Sequence, residues 1–418
     1  MVFRRAELQY KWATRLAQQF DTLPAQKATR SPPATMQTIR RSMLTPSMGR
    51  LSTALLLAGL VALYSSSVAH AGHPIDNPKS KLFSSWTELM YAAWRGQPEI
   101  VTRLLKKPHN INAMDEDGRS ALIYAAWNGN QDTLKVLLKQ GAAINQRDKD
   151  GLSALAWASR QGHRKTVMLL HQKGAQLDSQ DNHGRTPLMW AVRMRHRPVV
   201  RYLLKNHANP DIKTHQGRTA LSIAARLGYP RISQLLLQFG AAINATDKHG
   251  ESALWLAADG GQMVITRQLV KNGANIDSAD KHGQTPLMRA IKADHTELAL
   301  WLINHGADTN LVTHTGNSAI HFAAMRGNYA VLQALIDAGA NINTANATGN
   351  SPLQLAVLGG FRKTTELLLR NDADLKHANL LGDTAAAIAA NENNPQIGAL
   401  IKTYSESDPS LLDRLLTK

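Results

Sequence analysis

The side chains best suited to chemistry recur at one fixed spacing. Nine residues on from Ser85, and then from each of Gly118, Gly151, Gly184, Gly217, Gly250, Gly283, Gly316 and Gly349, stand Trp94, Trp127, Arg160, Arg193, Arg226, Asp259, Lys292, Met325 and Leu358. Two tryptophans followed by three arginines make a plausible binding strip, because Trp and Arg dominate the energetics of protein interfaces. The candidate partner-binding residues are therefore Trp94, Trp127, Arg160, Arg193, Arg226 and Lys292. The plain alternative is that long side chains merely solvate a helix surface. A second recurring group is His183, His215, His249, His282 and His314. Metal ligands must all approach one ion at about 2 Å, which side chains a whole repeat apart rarely do. Ordinary turn composition is the favoured account, with joint protonation at falling pH as the alternative.

Signatures of catalysis are missing. The sequence holds no H-E-x-x-H, no G-x-S-x-G and no P-loop, and its lack of cysteine removes both a thiol nucleophile and any disulfide. Acidic residues fall mainly in turns and second helices, with no evident inward-facing carboxylate pair. The expectation is a non-enzymatic protein with no catalytic residue, no cofactor and no metal.

The elements that must carry the strip follow from the same spacing. The glycines from Gly118 to Gly382 return every 33 residues, which marks a repeat array. With the earlier copy begun by Thr87, Glu88 and Leu89, ten units run from about residue 80 to residue 402 without an insertion. In each, the glycine suits a turn, and the Thr or Ser two residues later suits a helix N-cap. Pro187, Pro286 and Pro352 follow where a helix tolerates proline best. Leu89, Leu122, Leu155, Leu188, Leu221, Leu254, Leu287 and Leu353 then share a helical face with small pairs such as Ala125-Ala126 and Ala224-Ala225. A second helix centres on Leu104, Leu137, Leu170, Leu203, Leu236, Leu269, Leu302, Leu335, Leu368 and finally Ile401. Stops such as Gly141-Ala142, Gly273-Ala274 and Gly339-Ala340 end it.

Turn, helix, helix, with G-x-[TS]-[PA]-L, a small-residue pair and LL-x-x-GA-x-[IL]-[ND], resembles the ankyrin repeat over about 320 of the 418 residues. The resemblance implies an all-α solenoid of about ten 33-residue helix-turn-helix units, a concave face of first helices and turn tips, and a protein-binding role. It also implies that the aromatic series Tyr91, Tyr124, Trp157 and Trp190 packs against neighbouring units. The histidine often found after the unit's leucine survives only as His321; Met90, Ile123, Met189, Trp255 and Met288 stand there elsewhere. Looser hydrogen bonding between turns, offset by apolar packing, is expected in those units. The last unit, with Ala386 for its leucine and Asn393 for its glycine, has the atypical make-up of a cap. Because Arg160, Arg193 and Arg226 lie off the leucine face, replacing them with Glu is expected to spare folding.

The N-terminal region gives an address. Residues 51–64, LSTALLLAGLVALY, are apolar, follow Arg40, Arg41 and Arg50, and lead to an Ala-x-Ala ending at Ala71. This reads as a secretory signal cleaved between Ala71 and Gly72, the core being shorter than the roughly 20 residues of a permanent span. An uncleaved anchor is the alternative. The expected organisation is a basic extension at 1–47, untranslated or disordered; a signal at 48–71; a linker or cap at 72–84; ankyrin repeats at 85–402; and a tail at 403–418. Met36, Met43 and Met48 are alternative starts. Removing residues 1–71 leaves 39 basic and 29 acidic residues, a net charge of +10. A basic, periplasmic or secreted scaffold implies an acidic, exported protein partner. Nucleic acid is not expected as a partner, since no basic module with aromatic platforms is evident. The protein is expected to be a monomer; an inhibitor or immunity protein occluding an envelope enzyme or toxin is the alternative role.

Overall fold

The computed structural model describes residues 86–406, and the structural statements below concern those residues alone. The expected extension, signal, cleavage site and linker, together with residues 407–418, lie outside them. Twenty helices follow one another in ten pairs, from Glu88–Arg95 with Pro98–Leu104 to Ala385–Asn391 with Pro395–Glu406. The described residues contain no strand, only isolated bridges between Arg147 and Ser153 and between Thr246 and Ser252. The final helix continues to Glu406, past the expected end of the repeats at 402.

Local chemistry starts each pair. In the fourth unit the Thr186 side chain accepts the Met189 N–H at 3.3 Å and Pro187 occupies the first turn, so the helix Pro187–Arg193 has a capped, preorganised start. The turn glycine is required by contact as well as by its dihedral. At Gly217 φ is +80°, and a Cβ would lie 2.8 Å from the backbone nitrogen of Lys248 in the next turn. That approach lets successive tips bond to each other. The N–H groups of His215, Lys248, Lys281 and His314 donate to the carbonyls of His183, Gln216, His249 and His282 at 2.8 to 3.0 Å. The tip residues thus join the stack through their backbones, while the side chains of His183, His215, His249, His282 and His314 remain exposed.

Burial comes from stacking. Leu137, Leu170, Leu203, Leu236, Leu269, Leu302, Leu335 and Leu368 are fully buried, whereas Leu104 at the N-terminal end is only partly so. Each unit covers the next one's apolar face, which is how a solenoid builds a core that no single unit could close. Polar clamps set the register between units. At the start of the second helices, Nε2–H of His163, His196 and His295 donates to the carbonyls of Trp127, Arg160 and Asp259 in the preceding unit, at 2.9, 3.0 and 3.0 Å. The receiving carbonyls belong to the strip itself.

The residue after the unit's leucine varies more than simple apolar replacement suggests. His321 is fully buried, and its Nδ1 accepts the Ser318 N–H at 3.1 Å. Gln354 does the same for Ser351 at 2.8 Å and also donates to the Asp383 carbonyl at 2.7 Å. Trp255 reaches the Gln284 carbonyl at 3.0 Å. Gln354 and Trp255 therefore keep a bond to the neighbouring turn, whereas the His321 bond caps its own helix.

Candidate functional site

The first-helix face is built on an aspartate three residues before the turn glycine. Asp181 accepts the N–H groups of His183 and Arg185 on Oδ1, both at 2.8 Å, and the Trp190 indole N–H on Oδ2 at 3.0 Å. Asp148 accepts Leu152 N–H at 2.8 Å and the Trp157 indole N–H at 2.7 Å. Asp115 takes the Tyr124 hydroxyl in the same way. One carboxylate therefore shapes the turn and anchors the aromatic ring nine residues later. Burial pushes the Asp148 carboxyl above its usual range, with the Trp157 bond opposing, and burial, then Asp115, raises the Tyr124 hydroxyl. The packing role expected for this series holds: Tyr124, Trp157 and Trp190 are buried and Tyr91 half-buried.

On these rings the candidate strip is laid. Trp127 stacks on Trp157 with centroids 4.4 Å apart and planes at 15°, and Trp94 meets Trp86 edge-on at 6.0 Å. Arg160 has its guanidinium carbon 4.8 Å from the ring centroids of both Trp157 and Trp190. Trp94, Trp127 and Arg160 are half-buried; Arg193, Arg226 and Lys292 are exposed. Of the three arginines expected to be neutral to folding, Arg160 departs from that expectation, because it joins two units through two aromatic rings, each contact being worth about 0.5–1 kcal/mol or more.

Sequence reasoning missed a second row of cations. Arg119 lies 5.2 and 5.3 Å from the Trp127 and Trp157 ring centroids, and Arg185 lies 4.9 Å from that of Trp190. Their place directly after the turn glycine was the available signal. Further along, Arg289 pairs with Asp259 and lies 4.8 Å from the Trp255 centroid, so the one acidic member of the strip carries its own counterion. A carboxylate pair was missed too. Asp247 and Glu251 share Arg218, at 3.3 and 3.7 Å, and burial, followed by the Asp247 charge, raises the Glu251 carboxyl. Asp247 Oδ1 is already committed to the N–H groups of His249 and Glu251 at 2.8 and 3.1 Å, the turn-capping role of its counterparts. Beside this pair is a shallow hollow of about 400 Å³, lined in part by Arg226, Trp255 and Asp259.

Past Lys292 the face changes character. Met325 and Leu358 are 48% and 52% exposed, and Phe322 and Leu355, one helical turn earlier on the same helices, are 9% and 8% exposed. Among the described residues no group of three or more His, Asp or Glu side chains is arranged to hold a metal ion, and no helix is long and apolar enough to cross a membrane.

Paired helices, bonded turn tips and a core of two clusters that meet at the half-buried Ile276 define a helical repeat solenoid whose first helices present one polar and aromatic face. Residues 67–148, 89–181, 140–214, 221–313 and 306–379 match the family model for ankyrin repeats in sets of three copies. The chain belongs to the ankyrin repeat family, whose repeats generally serve as protein-protein interaction scaffolds. No curated protein matches the chain in sequence.

Proposed function

We propose that the protein is a non-enzymatic scaffold of the cell envelope that binds, stabilises or localises an acidic exported protein on its first-helix face. The observation that carries this reading is the seating of Arg160 between Trp157 and Trp190, with Arg193 and Arg226 exposed on the next two units. A guanidinium held between rings has lost much of its rotamer freedom before binding, which otherwise costs about 0.5–1.5 kcal/mol per ordered side chain. Its planar fork suits carboxylates. Nucleic acid fits less well, because the faces of Trp157 and Trp190, at 3% and 6% exposure, are not open to a base.

The test starts from the protein recovered from envelope extract together with its bound partner. Arg193→Glu/Arg226→Glu changes exposed residues and should leave the helical spectrum intact while weakening capture at least about tenfold, in line with loss of two interface arginines. Unchanged capture by the folded variant would refute the binding surface. Partner activity that survives complex formation supports a scaffold, and stoichiometric inactivation supports an inhibitor.

A further inference from the structure

The face has two zones of different chemistry in a fixed order, and this bears on what kind of segment it holds. In units three to five, the positions six and nine residues after the glycine carry Trp157 and Arg160, Trp190 and Arg193, and Ile223 and Arg226. In units eight and nine the same positions carry Phe322 and Met325, and Leu355 and Leu358. The residues occupy equivalent places on equivalent helices, so the contrast lies in their chemistry. Two features connect the zones for an acidic ligand. Asp259 is paired with Arg289, and Asp247 and Glu251 share Arg218, so these three carboxylates along the path are partly offset by cations. Lys292 is exposed one unit before Met325.

Resting on the binding role proposed above, we infer that the face takes a bipartite protein segment: an acidic block opposite Arg160, Arg193 and Arg226, joined to an apolar block on the patch of Phe322, Met325, Leu355 and Leu358. Charge complementarity selects the first block. The second follows from two large apolar side chains about half exposed on adjacent helices, with two further apolar side chains at their base. Neighbouring helices lie about 10 Å apart. Arg160 to Arg226 therefore spans about 20 Å and Arg226 to Met325 about 30 Å, or roughly six and nine residues of extended chain at about 3.3 Å each. Each block is a weak ligand alone. Joined at the matching spacing, they bind with an avidity neither has by itself.

Fluorescence anisotropy with the purified chain tests this using two labelled peptides, one of about six glutamates and a Gly/Ser spacer of about nine residues, the other adding Leu-Ala-Leu-Leu after the spacer; both sequence directions are made. At about 150 mM salt the bipartite peptide, in one direction, should bind at least about tenfold tighter than the acidic one. Met325→Ser/Leu358→Ser should abolish that gain and leave the acidic peptide's affinity unchanged. Arg193→Glu/Arg226→Glu should weaken both. Equal affinities, or a gain that survives the serine variant, would overturn the two-zone assignment while leaving the cationic site in place. No binding of the acidic peptide, or equal binding of a thymidine oligonucleotide of matched charge, would instead remove the acidic-protein reading beneath it.

Discussion

Replacing Asp181 with alanine should damage both the stack and its binding face, by an amount that can be worked out bond by bond. The carboxylate is 4% exposed and accepts three hydrogen bonds, from His183 N–H, Arg185 N–H and the Trp190 indole N–H. A buried donor left without a partner costs about 1–3 kcal/mol, and the two turn amides, near the surface, can recruit water at the lower end of that range. A total of about 3–5 kcal/mol is expected, about 1 from each turn amide and about 1–3 from the indole. Asp280 provides an internal standard, since it holds the N–H groups of His282 and Gln284 at 2.8 Å with no ring attached. Asp280→Ala should therefore lose about 1–3 kcal/mol less, the indole's share. Urea unfolding followed by circular dichroism measures both, and Trp190→Phe completes a double-mutant cycle in which Asp181→Ala becomes less harmful by a similar amount. Equal losses at the two aspartates, or additive effects of Asp181→Ala and Trp190→Phe, would refute the role given to the carboxylate. The same loosening should weaken binding, because Trp190 supports one face of Arg160.

Three other outcomes follow from the structure. Burial holds the His321 imidazole below its ordinary value of 6.5, so its contribution to stability is complete above about pH 6.5 and is lost as the pH falls through the lower folded value. His321→Gln, which copies the capping arrangement of Gln354, should keep neutral-pH stability and flatten the acid limb of a melting-temperature profile; the residual slope belongs partly to His196, also held low by burial. Asp294 sits at φ +62°, and Asp294→Gly should stabilise by about 0.5–1 kcal/mol in thermal unfolding, whereas a loss would show that its side chain outweighs the strain. Leu236→Ala, at a fully buried site, should cost about 2–5 kcal/mol, and a change below about 1 kcal/mol would contradict the stacked core.

Much of the fold was legible in the sequence because it depends on short, repeated phrases. Thr186 followed by Pro187, the buried Leu203 and Leu236, and stops such as Gly240 are each decided within a few residues, and the 33-residue period fixes which unit they join. The strip could be placed for the same reason. Its electrostatics could not, since the partners are a repeat apart in sequence: Arg289 is 30 residues from Asp259 and Arg218 is 29 from Asp247. Arg160 shows the limit well. A helical wheel places it off the leucine face, but only the packed units show Trp190 coming from the next helix to cover it. The clamps made by His163, His196 and His295 were not legible for the same reason, since each begins a second helix and its carbonyl partner lies 36 residues earlier.

The central claim is that a partner docks on the first-helix face, and site-specific photo-crosslinking in envelope extract tests it most directly. A benzophenone side chain in place of exposed Arg226 is compared with one in place of Val264, which is 58% exposed on the second helix Met263–Lys271. The expected result is a discrete protein adduct from position 226 that is absent from position 264. Adducts only from position 264, or equally from both, would contradict the account.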